Sequence, residues 1–95
     1  MAFAVQLTPL WVDQGWKAKI RDRERVEPPH VSIIRGRQTW RLCLRDGQFL
    51  DLQPKPNEVP DALLAEIRDQ FDRLQLEWDN MYPENPVCSV EDSND

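Results

Sequence analysis

Short runs in the first half of the chain alternate between apolar and polar residues. In residues 16–21 and again in residues 39–45, every second side chain is apolar, and Lys or Arg occupies many of the positions between them. Residues 30–35 are rich in β-branched side chains. A period of two residues is typical of half-buried antiparallel strands, and β-branched residues favour strands. We therefore predict three strands here, and a weaker one in residues 3–11, which Pro9 confines to an edge or a bend.

Glycines separate these runs and indicate tight turns, because Gly tolerates the positive φ that hairpin turns need. They lie at Gly15, Gly36 and Gly47. After Gly47, a fifth strand with a three-residue loop pairs Leu42 with Leu50 and keeps the apolar face continuous, whereas a two-residue loop places a carboxylate opposite Leu42. We predict the three-residue loop, which brings Leu52 to the apolar face and turns Phe49 toward the other face.

The apolar period changes after the proline-rich connector at residues 53–60. Apolar side chains then recur at the three- and four-residue spacing of a helix, at Leu63, Leu64, Ile67, Phe71, Leu74, Trp78 and Met81. Pro60 suits a first helical turn, and Pro83 ends the pattern. The spacing predicts one long helix whose apolar face covers the sheet.

Together these elements predict one small α+β domain over residues 1–82, since a chain of 95 residues has the size of a single domain. We expect a twisted antiparallel sheet of four or five strands, packed against one long C-terminal helix, because so small a sheet needs a cover. Residues 83–95 are polar and acidic, and we predict a disordered tail there.

The net charge of −5 conceals two oppositely charged halves. Residues 16–45 contain nine Lys or Arg and three Asp or Glu, whereas residues 46–95 contain three Lys or Arg and thirteen Asp or Glu. This separation predicts contact with a charged partner better than the total charge does. The acidic pI, near 4.8, argues against avid nucleic-acid binding.

The two cysteines, Cys43 and Cys88, are too few for a disulfide framework, and neither has a second Cys or His at zinc-ligand spacing. No phosphate-binding glycine loop or nucleophile elbow is present in the sequence. The first residues lack the basic region of a signal peptide, and no segment has the length of a membrane span. We predict a cytoplasmic protein with reduced thiols, no membrane association, and no cofactor or metal.

The segment "RDRERVEPPHVSI", the later "RDGQFLDLQ" and a long helix ending in "LQLEW" resemble the prokaryotic domain of unknown function 4160 family. The likeness runs from about Gly15 to Tyr82, and its most specific element is the Pro-Pro-His-Val run at residues 28–31. Family members usually continue with a second His, where this chain has Ser32. The resemblance implies the fold described above, and it suggests a component of a toxin–antitoxin-like or other accessory module.

His30, the only histidine, follows two prolines at the start of a predicted strand. A general acid–base or a metal ligand is one interpretation, but Ser32 removes the partner of a His-x-His pair, and a lone His binds metal poorly. The favoured interpretation is structural. The prolines force an extended entry into the strand, and His30 anchors it by a hydrogen bond to the backbone.

Many cations of the first half are predicted to share the sheet face that points away from the helix. They are Lys17, Lys19, Arg21, Arg41 and Arg45, with Arg23, Arg25, Arg35 and Arg37 at strand ends and turns. One interpretation is a binding surface for an acidic protein or a nucleic acid, and the other is a solvated face whose charges prevent edge pairing. Phe49 among these cations makes a mixed apolar and basic interface. By spacing, Trp16, Trp40 and Trp78 belong to the core, and Trp11 is the exposed one.

The predicted function is that of a small non-enzymatic interaction protein, which binds a protein partner through the basic sheet face or the acidic helix. The alternative is a small ribonuclease-type toxin or RNA-binding protein, in which His30 is the acid–base and nearby arginines bind phosphate. An enzyme is less favoured, and nucleic acid is a less favoured partner than protein. The predicted binding residues are Lys17, Lys19, Arg21, Arg35, Arg37, Arg41, Arg45 and Phe49.

Overall fold

The computed structural model describes residues 3–21 and 28–87. They form a four-stranded antiparallel sheet in which the strands follow chain order. The elements are β1 (Phe3–Ala4), α1 (Pro9–Asp13), β2 (Trp16–Ile20), β3 (His30–Arg35), β4 (Gln38–Cys43), a 3₁₀ turn (Pro56–Glu58), α2 (Asp61–Arg68) and α3 (Phe71–Met81). The predicted α+β class and the antiparallel sheet are confirmed.

The register of the sheet gives each strand two distinct faces. Trp16 is opposite Arg35 and Ala18 is opposite Ile33 across the β2–β3 ladder, and Ile33 in turn is opposite Trp40 in β4. Because successive side chains of a strand point to opposite faces, these residues share one face of the sheet. We call it the inner face, since it packs against the helices.

The weaker strand predicted in residues 3–11 is confirmed only at Phe3 and Ala4, and the helix that follows it was not predicted. Phe3 and Ala4 pair with β2 at the edge of the sheet, and the chain then leaves the sheet. Helix α1 begins at Pro9, a position where the missing N–H of proline is not needed by the helix.

The predicted fifth strand is not confirmed. After β4 the chain turns through residues 44–47, and only an isolated bridge joins Phe49 to Leu42. Gly47 adopts a φ of 73° in this turn, which favours glycine. The bridge replaces the predicted pairing of Leu42 with Leu50, so the register differs by one residue.

A shift of one residue reverses the face of every side chain that follows it. Phe49 therefore packs against the core instead of joining the cations, which corrects the prediction for this residue. Leu52, predicted to lie on the apolar face, is 83% exposed.

The predicted single long helix is also not confirmed, because α2 and α3 are separate. At Gln70 the backbone has φ −102° and ψ 9°. Its N–H donates to the carbonyl of Ile67, three residues earlier, at 3.0 Å, and such a 3₁₀-type hydrogen bond is typical of a helix end. The side-chain amide of Gln70 donates to the Gln6 carbonyl at 2.8 Å. The break leaves the apolar period intact, since both Ile67 and Leu74 are fully buried.

The core lies between the inner face of the sheet and helices α2 and α3. It unites strand residues such as Ile33 and Leu42 with helix residues such as Leu63 and Leu74. The prediction that the tryptophans form part of the core is confirmed for Trp16, Trp40 and Trp78, which are at most 3% exposed. Trp11 is half-buried at its margin.

The packed domain continues beyond the end of α3. Tyr82 and Val87 are buried in the core, and the Val87 N–H donates to the Asp79 carboxylate at 2.8 Å. Residues 83–87, which the sequence assigned to the tail, therefore pack against the domain. Residues 88–95 of the predicted tail lie outside the described residues.

Candidate functional site

His30 is the first residue of β3 and has no exposed surface. Its Nδ1 lies 2.8 Å from the Pro28 carbonyl oxygen, which can only accept, so the Nδ1–H donates. The ring also packs against Trp78, with the ring centroids 5.6 Å apart. The predicted hydrogen bond to the backbone is thus confirmed. A fully buried imidazole is poorly placed for acid–base chemistry on an external substrate.

Ser32 occupies the centre of the outer face, the sheet face opposite the core. It is 1% exposed and lies opposite Lys19 on β2 and Arg41 on β4. Its Oγ has no hydrogen-bond partner among the residues that the structure describes. The aliphatic stems of its two long neighbours are suited to shield such a small side chain from water.

Arg41 is neutralised within the domain. Its guanidinium binds the Asp51 carboxylate with two contacts, of 2.8 and 2.7 Å. These hydrogen bonds lower the pKa of Asp51 from its usual value, against the smaller opposing effect of burial. The pair joins β4 to the segment that follows the Phe49 bridge, so Arg41 serves a structural contact.

Arg45 is also used inside the domain. Its guanidinium donates to the Val87 and Pro86 carbonyls, both at 2.9 Å. The side chain thereby holds the segment after α3 against the turn that follows β4. Neither Arg41 nor Arg45 therefore belongs to a free basic face.

The remaining arginines of the predicted set lie apart from one another. Arg35 stands over the Trp16 ring at 5.3 Å, and Arg37 is exposed in the turn between β3 and β4. Arg21 follows β2 and is half-exposed. Two further predicted cations lie outside the described residues, Arg23 and Arg25. The structure thus divides the predicted set instead of gathering it into one patch.

Lys17 and Lys19 differ from Arg41 in having no acidic partner among the described residues. Lys17 is exposed and Lys19 is half-exposed, both on β2. The ion pairs in the described part of the chain are Arg41–Asp51 and Arg73–Glu77, and neither involves these lysines. They therefore lie two residues apart on one strand, with no described acid to neutralise them.

A groove runs beside these lysines, between α1 and the β1–β2 edge of the sheet. It encloses about 190 Å³. Its lining is mostly aliphatic, from Ala4, Val5, Leu7, Val12, Trp16, Lys17, Ala18 and Lys19. Val12 is 56% exposed, which is high for a large apolar side chain. We call this groove between α1 and the β1–β2 edge the β2 groove.

A larger cavity, of about 380 Å³, lies between the Gly47 turn and the junction of α2 with α3. Two polar side chains of its lining bond across it to the turn: Arg68 donates to the Gly47 carbonyl and Gln75 to the Leu44 carbonyl, each at 2.8 Å. These contacts fasten the turn to the helices. The polar side chains of this cavity therefore have a structural role, which is to attach the turn to α2 and α3.

Two acidic residues of the helices have roles that sequence reasoning missed. Glu66 accepts hydrogen bonds from the Thr8 hydroxyl and N–H, each at 2.6 Å, and from the Trp11 indole at 3.2 Å. The Thr8 hydroxyl contributes most to lowering the pKa of Glu66 from its usual value, against desolvation. Asp79, as noted above, holds Val87. The partners of Glu66 lie more than 50 residues away in sequence, and Val87 lies beyond the end of the helix that carries Asp79, so the helical pattern could not have indicated either contact.

Within residues 3–21 and 28–87, no group of three or more His, Cys, Asp and Glu side chains could hold a metal ion. Cys43 is buried, and Cys88 lies outside the described residues. The helices of the described ranges are all too short or too polar to cross a membrane.

Fold and surface together define a small α+β domain with a fully buried histidine and a lysine-flanked apolar groove at one sheet edge. No protein-family model, curated protein or solved structure matches this chain.

Proposed function

We propose that this chain is a small non-enzymatic interaction protein, which binds a protein partner through the surface around Lys17 and Lys19. The observation that carries the proposal is the contrast among its cations. Arg41 and Arg45 are bound to groups of the same domain, whereas the two lysines are not paired with any described acid. An apolar patch with a polar rim is the usual arrangement of a protein interface, and charges at such a rim steer a partner of opposite charge.

The burial of His30 supports a binding role over the ribonuclease alternative. His30 is fully buried and bonded to Pro28, and arginines of the predicted phosphate site are separated or internally bound. A phosphate clamp needs donors that converge on one point. The described residues offer no such convergence around His30.

Membership of a toxin–antitoxin-like or other accessory module in a prokaryotic cytoplasm is a further part of the proposal. It rests on the sequence resemblance around residues 28–31 and on the charge separation between the two halves of the chain. Partners in such modules recognise each other by complementary charge and shape.

Affinity purification from the native host tests the proposal. Wild type should enrich a specific protein, and Lys17→Glu should lose it by at least about tenfold, because like charges placed opposite each other at an interface cost more than the roughly 1.4 kcal/mol of a tenfold change. Lys55→Glu is the matched control, since Lys55 is also exposed but lies in the connector. Loss of the protein with both variants, or with neither, contradicts the proposed surface.

Incubation with total RNA separates the proposal from its alternative. We expect no cleavage, and no binding that weakens with salt. Cleavage by wild type that is lost in a folded His30→Ala variant, checked by circular dichroism, would establish the ribonuclease instead.

A further inference from the structure

The β2 groove lies beside the part of β2 that extends past the end of β1. The Val5 N–H donates to the Ala18 carbonyl at 2.8 Å, and the chain then leaves the sheet toward α1. Alternate residues of a strand direct their backbone groups to the same side. The backbone of Trp16 is therefore directed toward the groove, at a point beyond the end of β1. An extended segment laid there can continue the ladder that β1 leaves incomplete.

The groove suits aliphatic side chains better than a small-molecule ligand. Its volume of about 190 Å³ is below the roughly 300–1,000 Å³ of typical small-molecule sites. Leu7 and Val12 provide an apolar wall, and Val12 is 56% exposed. Burying apolar surface of this kind against a partner is favourable.

Charge selects the occupant. Lys17 and Lys19 line the groove, and neither forms an ion pair with a described residue. A nucleic acid would also be attracted by them, but single strands bind mainly by stacking bases on exposed aromatic rings. The aromatic side chain of this lining, Trp16, is 3% exposed. The geometry therefore favours an acidic polypeptide.

We propose that the β2 groove binds an extended acidic segment of a partner protein. An aliphatic side chain of the segment lies against Leu7 and Val12, its carboxylates face Lys17 and Lys19, and its backbone pairs with the edge of β2 at Trp16. This inference rests on the proposed function, and it specifies where on the surface and by what chemistry the partner binds.

The inference can be tested by phage display. Random-sequence peptides are selected for binding to the immobilised full chain. Enriched peptides should combine Asp or Glu with Val, Leu or Ile. Synthetic copies of these peptides should bind Val12→Asp about tenfold more weakly than wild type, as measured by fluorescence anisotropy. The substitution removes an apolar side chain from the wall of the groove, and the new carboxylate repels an acidic segment.

Leu10→Asp is the matched control, because Leu10 lies on the same helix and is also 56% exposed, yet it does not line the groove. It should bind within about twofold of wild type. Equal loss in the two variants, selected peptides without acidic residues, or no enrichment at all would overturn the inference, as would single-stranded oligonucleotides that compete for the groove.

The host purification distinguishes failure of this inference from failure of the proposed function. If Val12→Asp retains the partner that Lys17→Glu loses, the chain binds a partner through its lysines but not in the groove. If no partner depends on Lys17, the proposed function itself fails.

Discussion

The two faces of the central sheet carry different kinds of side chain and follow different rules. On the inner face, Ile33 and Trp40 are enclosed by helix residues and contribute mainly apolar surface. On the outer face, Lys17 is exposed, while Arg41 is bound to Asp51. Volume and hydrophobicity thus determine which side chains fit on the inner face, whereas individual polar contacts determine which charged side chains of the outer face are bound within the domain.

Side chains of equal charge in this domain are not equivalent. Arg41 and Arg45 alternate with apolar residues in the sequence just as Lys17 and Lys19 do. Their positions in the fold place a carboxylate beside Arg41 and carbonyl groups beside Arg45, whereas no described acid forms an ion pair with the lysines. The lysines are therefore the cations available to the proposed interface, whereas Arg41 and Arg45 form contacts within the domain.

Ile33 and Ile34 provide the sharpest test of the comparison, because they are adjacent and identical but point to opposite faces. Ile33 is fully buried and Ile34 is half-buried. Ile33→Ala should lower the free energy of unfolding by about 3 kcal/mol through loss of buried methyl groups and the cavity left behind. Ile34→Ala should lower it by about 1 kcal/mol. Urea titration measures both, and similar values would show that the helices do not seal the inner face.

His30→Ala should destabilise the fold by about 2 kcal/mol, because it removes a buried hydrogen bond to Pro28 and the contact with Trp78. His30→Asn keeps an N–H donor near the same carbonyl and should recover part of the loss. Thermal unfolding by circular dichroism compares the three proteins. If neither variant changes the melting temperature, His30 has no structural role.

Arg45 and Arg37 test the division between bound and free arginines. Arg45→Ala should lower the free energy of unfolding by about 1–2 kcal/mol, since it leaves the carbonyls of Pro86 and Val87 without their charged donor. Arg37→Ala, in an exposed turn, should stay within about 0.5 kcal/mol of wild type. A larger effect for Arg37 than for Arg45 would refute this assignment.

The smallest expected effect concerns pH. The pKa of Asp51 is lowered in the folded state, so its pairing with Arg41 stabilises the fold above the usual value of 3.8, and this stability is lost as pH falls through the lowered value. The side chains are about one-third exposed, which limits the contribution to about 1 kcal/mol.

Asp51→Asn should therefore be less stable than wild type near neutral pH, and the two should converge in acid, below the lowered pKa of Asp51. Denaturant titrations across the acidic range measure this convergence. A constant difference between the two proteins at every pH would show that ionisation of Asp51 is not its source.

The alternation of residues and the glycine positions were sufficient to predict three strands and the turn between β3 and β4. The helix period correctly predicted that Leu74 and Trp78 are buried, but it did not predict the break at Gln70. No Gly or Pro lies at that point. Gln70 instead contacts Gln6, a residue far away in the chain, and such a contact leaves no trace in a local pattern.

The register after Gly47 was mispredicted for a related reason. Both candidate loops were judged by apolar matching alone, whereas the observed turn holds its residues by backbone bonds to Cys43 and by Arg68 from α2. Helix residues cannot be included in a comparison of neighbouring strands, so Phe49 was assigned to the wrong face.

Local spacing in the sequence identified most of the side chains that are withdrawn from water, because the period of apolar residues follows directly from the geometry of strands and helices. Which charges remain available depends on the tertiary structure. A lysine and an arginine look alike in a pattern, but a carboxylate binds Arg41 and carbonyl groups bind Arg45, and such neighbours are brought together only by folding.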